Sequence, residues 1–428
     1  MSHPKNLHIK NGRIIDPARN IDATGDIFIQ DGHFVESLTA ATDNTKTIDA
    51  TGLVVAPGLI DIHVHFREPG QTHKETIASG SRAAAAGGFT SVVLMPNTSP
   101  TTDNPSTITL IKEKAAETSE INIFTTGAIT KGIAGEELAP IGSMARAGIV
   151  AITDDGHCIQ NHEVMRRALE YAKMFDLPLL DHCQDYSLVG DGVMHEGDWS
   201  LRLGLPGWPR IGEEIIVGRN IMLAELLDTP IHCQHITSGG SIPLLREAKK
   251  RGVKISGEIC PHHIWFTDEK LQTYDSNYKM NPPLREQSDI ELLLEGIADG
   301  TIDILCSDHA PHAAYEKEVE LDQAPFGILG LETEFAAFSE LLIHQRNIID
   351  LPRLIACYTS NPARLLNLDR GTLSPGAVGD VTLIDPAQSW TYDVNETKSL
   401  SKNSPFHDST FRGRAIQTIV AGKSVWKL

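Results

Sequence analysis

Residues 59–66 read LIDIHVHF, an apolar, strand-like run that ends in two histidines separated by a single residue. Side chains alternate along a β-strand, so His63 and His65 share one face while Val64 points to the other. Two imidazoles placed in this way can reach one metal ion. The motif is short, however, and a pair of core or surface histidines would show the same spacing. The surrounding sequence has to decide between these interpretations.

Seven further strand-like runs follow the first one, and segments with helical periodicity separate them. They cover residues 90–95, 121–126, 148–153, 177–181, 229–233, 253–255 and 302–307. The intervening segments include predicted helices over 163–175 and 241–251, and Gly252 suits the C-terminus of the second helix. Alternating strands and helices indicate an α/β protein with a parallel sheet, and eight such units imply a closed (β/α)8 TIM barrel.

Both ends of the chain have the sequence pattern of a small β domain. Short strand-like runs lie near the termini, at residues 7–10, 26–30, 380–384, 416–420 and 424–426. Hairpin signals follow three of these runs, namely Asn11-Gly12, Asp31-Gly32 and Ala421-Gly422. We therefore expect a composite β-sandwich domain built from residues 1–56 and 371–428, with the barrel over residues 57–370.

Composition limits the classes of partner. The chain has 428 residues, and its 37 lysines and arginines against 56 aspartates and glutamates give a formal net charge of −19. Such a balance repels phosphate groups and argues against nucleic-acid partners and anionic membranes. No apolar run is long enough to span a bilayer, and the N-terminus is polar. Six cysteines without a CxxC pair are typical of buried free thiols, so we predict a reducing, cytoplasmic location.

Candidate metal ligands stand directly after the predicted strands. Besides the two histidines of the first strand they are Asp155, His182, His235 and Asp308. TIM-barrel enzymes build their sites at the C-terminal ends of the strands, so these side chains are expected to converge on one mouth. Nitrogen and oxygen donors in this combination suit Zn²⁺, and a shared carboxylate is able to bridge two ions.

Neighbouring polar residues leave alternatives open. Asp154 could exchange roles with the aspartate that follows it, and Asp61 lies on the strand face of the first histidine, where it could orient an imidazole. His232 is out of phase with its strand end. The pair His262-His263 is compatible with simple packing or hydrogen bonding.

Six segments together carry a family resemblance. They are DIHVHFREPG (61–70), MPNT (95–98), TDDG (153–156), KMNPPLR (279–285), SDHAPH (307–312) and APFG (324–327). In this combination the sequence resembles the dihydroorotases of the amidohydrolase superfamily, in their longer bacterial form. The similarity covers nearly the whole chain, as far as GDVTLID at 379–385. The two-histidine motif alone would indicate only the superfamily.

The resemblance implies a zinc site with one or two ions. It makes His63, His65 and Asp308 ligands of one ion and His182 and His235 ligands of a second, with Asp155 as the bridge. Many relatives bridge instead with a carboxylated lysine at the end of strand four, and this chain has none there. Lys131 follows strand three and is interpreted as an ordinary loop lysine. Asp181, before the first ligand of the second ion, departs from the small residue expected there and could tune that ion's affinity.

The resemblance also implies a set of substrate contacts. They are His65, Arg67, Asn97, Asn281, His312, Phe326 and Gly327, and Arg67 suits a bidentate grip on a carboxylate. A solvent salt bridge for Arg67 and loop caps for the asparagines are the alternatives. The implied reaction is the reversible hydrolysis of dihydroorotate to N-carbamoyl-L-aspartate in pyrimidine (UMP) biosynthesis, with Asp308 as the catalytic acid and base.

Two other functions remain open at this stage. One is a related cyclic-amide hydrolase, such as a hydantoinase, dihydropyrimidinase or allantoinase, although the missing lysine and Arg67 count against it. The other is a catalytically silent partner of aspartate transcarbamoylase, although all six ligand positions are present. A homodimer, or association of an active enzyme with that transcarbamoylase, is also compatible with the sequence. The charged segment 313–324 is expected to be a loop, and we interpret it as a lid over the substrate.

Overall fold

The structure is a computed structural model that describes residues 6–38 and 45–428. The predicted TIM barrel is confirmed. Its parallel strands are Leu59–Val64, Phe89–Leu94, Asn122–Thr125, Leu179–Asp181, Ile231–Cys233, Ile255–Ile259 and Ile304–Leu305. The fourth position is filled by Ile152, which forms single bridges to Gly127 and Leu179. A bridge between Val64 and His309 closes the ring.

Helices surround the barrel strands. The longer ones are Ile77–Gly87, Pro105–Thr118, Ile141–Ala147, His162–Lys173, Ile211–Leu227, Ser241–Lys250, Gln287–Asp299 and Leu351–Tyr358. Shorter α-helices cover Tyr186–Val189, Asp198–Leu203, His262–Trp265, Ala314–Lys317, Glu334–Phe338 and Ser360–Leu365, and a π-helical turn covers Ser339–Gln345. Short 3₁₀ segments lie at Pro17–Arg19, Lys131–Ile133, Asp268–Thr273, Ser276–Tyr278 and Val394–Glu396.

Local sequence explains where the two predicted helices begin and end. The Asn161 side chain accepts hydrogen bonds from the backbone N–H groups of Glu163 and Val164, and it therefore starts the helix at His162. Gly252 follows the helix Ser241–Lys250 with a φ of +81°, a conformation that glycine adopts without steric cost.

Strands from both termini form one mixed sheet. Its members are Asn6–Asp16, Ile21–Gln30, His33–Val35, Thr45–Asp49, Val54–Pro57, Val381–Thr391, Thr410–Val420 and Lys423–Lys427. The strand Val54–Pro57 joins the two halves, because it pairs in parallel with Asn6–Asp16 and antiparallel with Val381–Thr391. A separate two-stranded pair, Met194–His195 and Gly207–Trp208, lies among the barrel loops.

Two of the predicted turns form and one does not. Asp31-Gly32 and Ala421-Gly422 are two-residue hairpin turns with positive φ at both residues. The turn predicted at Asn11-Gly12 is wrong, because the strand Asn6–Asp16 continues through it with a register shift between Ile9 and Gly12. The Asn-Gly pair marks a β-bulge instead of a turn, because Asn11 takes a φ of +63° without reversing the chain.

The small sheet has a hydrophobic cluster of its own, which includes Ile9, Ile29, Val55 and Leu383. A second cluster joins barrel residues such as Phe266 to Phe406 and Phe411 of the C-terminal part. The C-terminal part thus contributes to the barrel's packing as well. The division of the chain at residues 56 and 371 stays a prediction.

Candidate active site

The six predicted ligand residues converge at one mouth of the barrel. His63 Nε2 and His235 Nε2 each lie 3.4 Å from Asp155 Oδ1, and His182 Nδ1 lies 3.6 Å from the same oxygen. The other carboxylate oxygen, Oδ2, lies 3.4 Å from His65 Nε2. Asp308 Oδ1 lies 3.1 Å from His65 Nε2 and 3.6 Å from His63 Nε2.

The ring of His63 is held from behind by a residue on strand seven. Its Nδ1 lies 2.6 Å from Glu258 Oε1, an oxygen that can only accept, so Nδ1 donates and carries the ring proton. Burial by itself favours the neutral acid, but His63 and His232 outweigh it and hold the pKa of Glu258 below its ordinary value. In the neutral tautomer His63 Nε2 would present its lone pair towards Asp155. Burial lowers the pKa of His63, but Asp155, Glu258 and Asp308 outweigh it and hold that pKa well above its ordinary value, so a bound cation would take the place of the second ring proton.

Two more imidazoles are oriented in the same way. His65 Nδ1 lies 2.9 Å from Asn97 Oδ1, and His182 Nε2 lies 2.8 Å from Gln184 Oε1. Each of these ring nitrogens donates to an amide oxygen, so in the neutral ring the opposite nitrogen carries no proton. His65 Nε2 then faces Asp155 and Asp308, and His182 Nδ1 faces Asp155 and lies 2.8 Å from His235 Nε2. His235 differs, because its Nδ1 has no hydrogen-bond partner within the part of the chain that the structure describes.

Lone pairs of nitrogen and oxygen thus face each other in a buried space. His63 Nε2 and Asp155 Oδ1 have no hydrogen-bond partner among the described residues. Burial favours a neutral Asp155, but the surrounding histidines outweigh it and hold the pKa of this carboxyl well below its ordinary value. Asp308 behaves likewise, since burial opposes its ionisation and His63 and His65 lower its pKa nonetheless. Bare donors around two carboxylates fit a divalent cation such as Zn²⁺.

Hydrogen bonds in the structure decide the alternatives left open for Asp154 and Asp61. Asp154 accepts from the backbone N–H groups of Ile129 and Thr130, so it turns away from the histidines and cannot replace Asp155. Asp61 does not orient an imidazole. It accepts from the His63 backbone N–H at 2.9 Å and from the Ser307 hydroxyl, and it ties strands one and eight together.

Nearby histidines serve other contacts. His232 Nε2 lies 3.1 Å from Glu258 Oε2, on the side of that carboxylate away from His63. His263 Nε2 donates to the Pro282 carbonyl at 3.0 Å, whereas neither ring nitrogen of His262 has a partner among the described residues.

The structure also shows what Asp181 and Lys131 contact. Asp181 Oδ2 accepts from Arg219 and from Asn220, each at 2.7 Å, in a buried ion pair behind the site. Asp181 is therefore committed to Arg219 and Asn220. Lys131 lies at the surface and pairs with Glu137.

A cavity of about 320 Å³ opens beside the histidines. All of the predicted substrate contacts line it, namely His65, Arg67, Asn97, Asn281, His312, Phe326 and Gly327. Burial lowers the pKa of Arg67 to about 10, with Asp308 and Asp155 opposing that shift, so the side chain stays cationic at neutral pH. Arg67 Nε donates to the Pro311 carbonyl at 3.3 Å, and no carboxylate of the described chain forms an ion pair with its guanidinium.

His312 does not accept a hydrogen bond from the Arg67 guanidinium. Burial, with help from Arg67 itself, lowers the pKa of His312 to about 2, so the ring is neutral. His312 Nε2 donates to the Phe326 carbonyl at 2.7 Å, and a protonated nitrogen cannot also accept from Arg67 Nη2 at 3.5 Å. The terminal nitrogens of the guanidinium therefore remain available to an anion in the cavity.

The Phe326-Gly327 backbone is held firmly by its surroundings. Gly327 N–H donates to the Lys279 carbonyl at 3.0 Å, and the Gly327 carbonyl accepts from Lys317 Nζ and Asn403 Nδ2 at 3.0 and 3.1 Å. An ideal Cβ on Gly327 would lie 2.6 Å from the Ala310 Cβ, and the φ of +122° also favours glycine. Most polar groups of this backbone are already used, so its predicted contact with substrate stays a prediction.

Sequence reasoning missed two of the three residues that orient the imidazoles, Glu258 and Gln184, and predicted Asn97 only as a substrate contact. Glu258 was overlooked because strand seven was expected to end at residue 255, whereas it runs over Ile255–Ile259. A buried acid inside the apolar run ISGEI was the available signal. Gln184 follows His182 by two residues, the spacing already used for the two histidines of strand one. Asn403 and Lys317 had no comparable signal.

Comparison with known proteins decides the family. The sequence matches the family described as "Dihydro-orotase-like" over residues 52–241. A curated protein named dihydroorotase from Citrifermentans bemidjiense is 49% identical over 424 residues, which cover 99% of this chain and 100% of the relative. Another so named, from Geobacter sp. (strain M21), is 50% identical with 99% of each chain covered. The chain belongs to the dihydroorotase family. It is accordingly an enzyme of the cyclic amide hydrolase class.

Solved structures share the architecture at low sequence identity. The L-hydantoinase (dihydropyrimidinase) from Arthrobacter aurescens superposes with a TM-score of 0.88 at 22% identity, over 98% of this chain and 96% of that chain. The dihydropyrimidinase from Brevibacillus agri gives 0.86 at 22% identity, over 99% and 95%. These similarities support the barrel with its β-sandwich domain. Among the described helices, none combines the length and apolarity needed to cross a membrane.

Proposed function

We propose that this member of the dihydroorotase family is a zinc-dependent enzyme that interconverts dihydroorotate and N-carbamoyl-L-aspartate in de novo pyrimidine (UMP) biosynthesis. The observation that carries the proposal is the set of bare imidazole nitrogens facing Asp155 and Asp308, next to an Arg67 without a carboxylate partner in the described chain. A metal site beside a free cation suits a cyclic amide that carries a carboxylate.

The proposed metal ligands divide into two groups around one carboxylate. His63, His65 and Asp308 would hold one ion and His182 and His235 would hold the other, and Asp155 lies between the two groups of residues. The proposal allows one or two ions per chain. When bound, Zn²⁺ supplies Lewis-acid chemistry that acidifies water and polarises an amide carbonyl.

Asp308 is the proposed proton carrier. Its lowered pKa leaves it ionised at neutral pH, so it can accept the proton that water loses when its oxygen adds to the ring carbonyl. As the ring C–N bond breaks, the same carboxyl delivers this proton to the departing nitrogen. Ring closure follows the same steps in reverse. Arg67 holds the substrate carboxylate, while Asn97, Asn281 and the His312 ring orient the amide.

The metal assignment is tested with a double variant. His63→Ala combined with His65→Ala removes two bare ring nitrogens, and we expect purified protein to lose zinc and at least ~10²-fold in dihydroorotate turnover. The matched control is His33→Ala combined with His407→Ala, at two histidines away from the site. Full zinc content and full turnover in the site variant would contradict the assignment.

The substrate class is tested at Arg67. Arg67→Lys keeps the charge but loses the planar fork, so catalytic efficiency on dihydroorotate should fall by roughly 10-fold to 100-fold, corresponding to about 1.5–3 kcal/mol for a charge-assisted bond. Dihydrouracil and hydantoin lack the carboxylate and should be poor substrates for both proteins. Efficient hydrolysis of either by the unmodified enzyme would favour a hydantoinase or dihydropyrimidinase. No turnover despite full metal loading would favour a silent partner of aspartate transcarbamoylase.

The cellular setting remains part of the proposal. All six cysteines are free and buried, which supports a reducing, cytoplasmic location. Association with aspartate transcarbamoylase stays a prediction that rests on the family resemblance.

A further inference from the structure

Three potential metal ligands that the proposed reaction does not use follow strand seven, in the motif Cys260-Pro261-His262-His263. All three side chains are buried, with exposed fractions of 0% for the cysteine and 1% for each histidine. One ligand atom from each, the thiol sulfur or a ring nitrogen, lies within 4.8 Å of the other two. A thiol gathered with two imidazoles in this way is a ligand set that soft metal ions prefer.

His262 has an unusual environment for a buried side chain. Neither of its ring nitrogens has a hydrogen-bond partner in the described part of the chain. Buried polar groups in folded proteins nearly always find such a partner. Burial, opposed by Asp308, lowers the pKa of His262 to about 4, so the ring is neutral at neutral pH. One of its nitrogens therefore has a lone pair that no protein group uses among the residues that the structure describes.

His263 and Cys260 complete the set of ligands. His263 Nε2 donates to the Pro282 carbonyl at 3.0 Å, so the proton of the neutral ring is on Nε2 and the lone pair is on Nδ1. This Nδ1 also lacks a hydrogen-bond partner within the described ranges. Burial holds the pKa of His263 well below its ordinary value, which keeps the ring neutral. Burial raises the pKa of the Cys260 thiol to about 11, so a metal ion would have to displace its proton.

The chemistry of this group differs from that of the proposed zinc ligands, which include two carboxylates. The motif at 260–263 contains no acid, and Glu258 already accepts a hydrogen bond from His63 Nδ1. A second thiol, Cys306, has its sulfur 3.5 Å from Cys260 Sγ, but it belongs to a different group of potential ligands, with His63 and Glu258. The group therefore offers one thiol and two imidazoles.

The number and charge of these ligands indicate which metal ion suits them. One thiolate carries a single negative charge and two neutral imidazoles carry none, so a monovalent cation forms a complex without net charge. A divalent cation would leave the complex with a net positive charge in a buried place, and burying such a charge is costly. Thiolates select soft ions such as Cu⁺, whereas Zn²⁺ takes four ligands in structural sites.

We propose that Cys260, His262 and His263 bind one monovalent copper ion, in a site separate from the proposed zinc centre. The ion replaces the proton of the Cys260 thiol, which is released to solvent, and nothing is oxidised or reduced. Metal–sulfur and metal–nitrogen bonds of about 2.3 and 2.0 Å set ligand atoms roughly 3.5–3.8 Å apart, so atoms that lie within 4.8 Å of one another need to approach by about 1 Å. His263 binds through Nδ1 and keeps its hydrogen bond to Pro282.

The first test measures copper binding to the purified full-length protein. Cu⁺ is added without oxygen in competition with bicinchoninate, which is coloured when it holds Cu⁺, and we expect the protein to take one ion per chain. Cys260→Ser and, separately, His262→Phe should each weaken copper binding at least ~100-fold, since each removes a direct ligand. His262→Phe keeps the ring shape and loses no hydrogen bond, so we expect its thermal unfolding to resemble that of the unmodified protein.

Cys357→Ser, at a buried thiol in the helix Leu351–Tyr358, is the matched control and should bind copper like the unmodified protein. Absence of bound copper in the unmodified protein would overturn the proposal. Copper binding of unchanged strength in either Cys260→Ser or His262→Phe would overturn it as well.

The second test identifies the ligands. X-ray absorption at the copper edge should show one sulfur and two nitrogen neighbours around Cu⁺, and Cys306→Ser should keep the ion. Two sulfur neighbours, with loss of copper in Cys306→Ser, would show that the thiols of Cys260 and Cys306 hold the ion without the histidines, and the proposed ligand set would be wrong. Displacement of Cu⁺ from the site by equimolar Zn²⁺ would contradict the choice of a monovalent ion.

Discussion

At the scale of single residues, the site depends on where each imidazole proton is placed. Glu258, Asn97 and Gln184 each accept the ring proton of one histidine, and this leaves the opposite nitrogen bare. A histidine without such a partner could rotate or exchange tautomers, and its lone pair would face the aspartates for only part of the time. The residues behind the site are thus suited to prepare it for the proposed cation.

Glu258→Gln tests this preparation. The amide is nearly the size of the carboxylate but loses its charge, so the hold on the His63 Nδ1 proton weakens. We expect zinc affinity, measured by competition with a chelating dye, to fall by about 10-fold to 100-fold. Glu117→Gln, at an exposed surface position, is the control. Unchanged zinc affinity in Glu258→Gln would show that the carboxylate does not orient His63.

At the scale of elements, the segment 313–324 is anchored at several points. It contains the short helix Ala314–Lys317, and both Lys317 and Leu321 are buried. Lys317 Nζ contacts the carbonyls of Lys279, Pro325 and Gly327 at 3.4, 2.8 and 3.0 Å. A lid that moved as one piece would have to break these contacts. The proposed closure over substrate stays a prediction, and it is best sought in the exposed residues 318–320.

The pKa of Lys317 predicts how the stability of the fold changes with pH. Burial, with repulsion from Lys279, lowers its pKa from 10.5 to about 7. Between these values the unfolded chain binds the proton and the folded chain does not, so this lysine's contribution to the free energy of unfolding rises with pH. Relative to Lys317→Met, the stability of the unmodified protein in urea should increase by up to about 1 kcal/mol per pH unit from pH 7 to pH 9. Lys423→Met, at the exposed end of the sheet, is the control, and parallel pH curves for Lys317→Met would contradict the prediction.

At the scale of the whole molecule, the C-terminal part reaches the cavity that we propose as the substrate site. Asn403 is buried and lies between the strands Val381–Thr391 and Thr410–Val420 in sequence. Its side chain accepts from the His312 backbone N–H at 3.0 Å and donates to the carbonyls of Ala310 and Gly327. A single amide thus fixes the relative position of two segments that line the cavity.

Asn403→Ala should affect substrate binding more than chemistry. Removing the three hydrogen bonds frees the segments around His312 and Gly327, so we expect KM for dihydroorotate to rise about 10-fold to 100-fold while kcat changes less. Zinc content should stay unchanged, because no metal ligand contacts this side chain directly. Asn395→Ala, an exposed asparagine of the same C-terminal part, is the control. A fall in kcat with KM preserved would place the role of Asn403 in the chemical step.

The features that could be predicted from the amino-acid sequence are those that local periodicity sets. Alternation along residues 59–66 placed His63 and His65 on one face, and the repeated strand–helix pattern led to the barrel. Strand ends meet at one mouth in such a barrel, so the proximity of Asp155, His182 and Asp308 could be predicted from their positions alone. The same method failed where the backbone departed from its local signal, as at the Asn11-Gly12 bulge and in the length of strand seven.

The residues that support the site come together only in the folded chain. Glu258 is 195 positions from His63, and Asn403 is 91 positions from His312. The choice of Asp155 over Asp154 likewise depended on backbone donors at Ile129 and Thr130 from the preceding βα loop. Such contacts leave no periodic trace, because a hydrogen bond between distant segments is set by how the strands and loops pack rather than by the residues beside it in the chain.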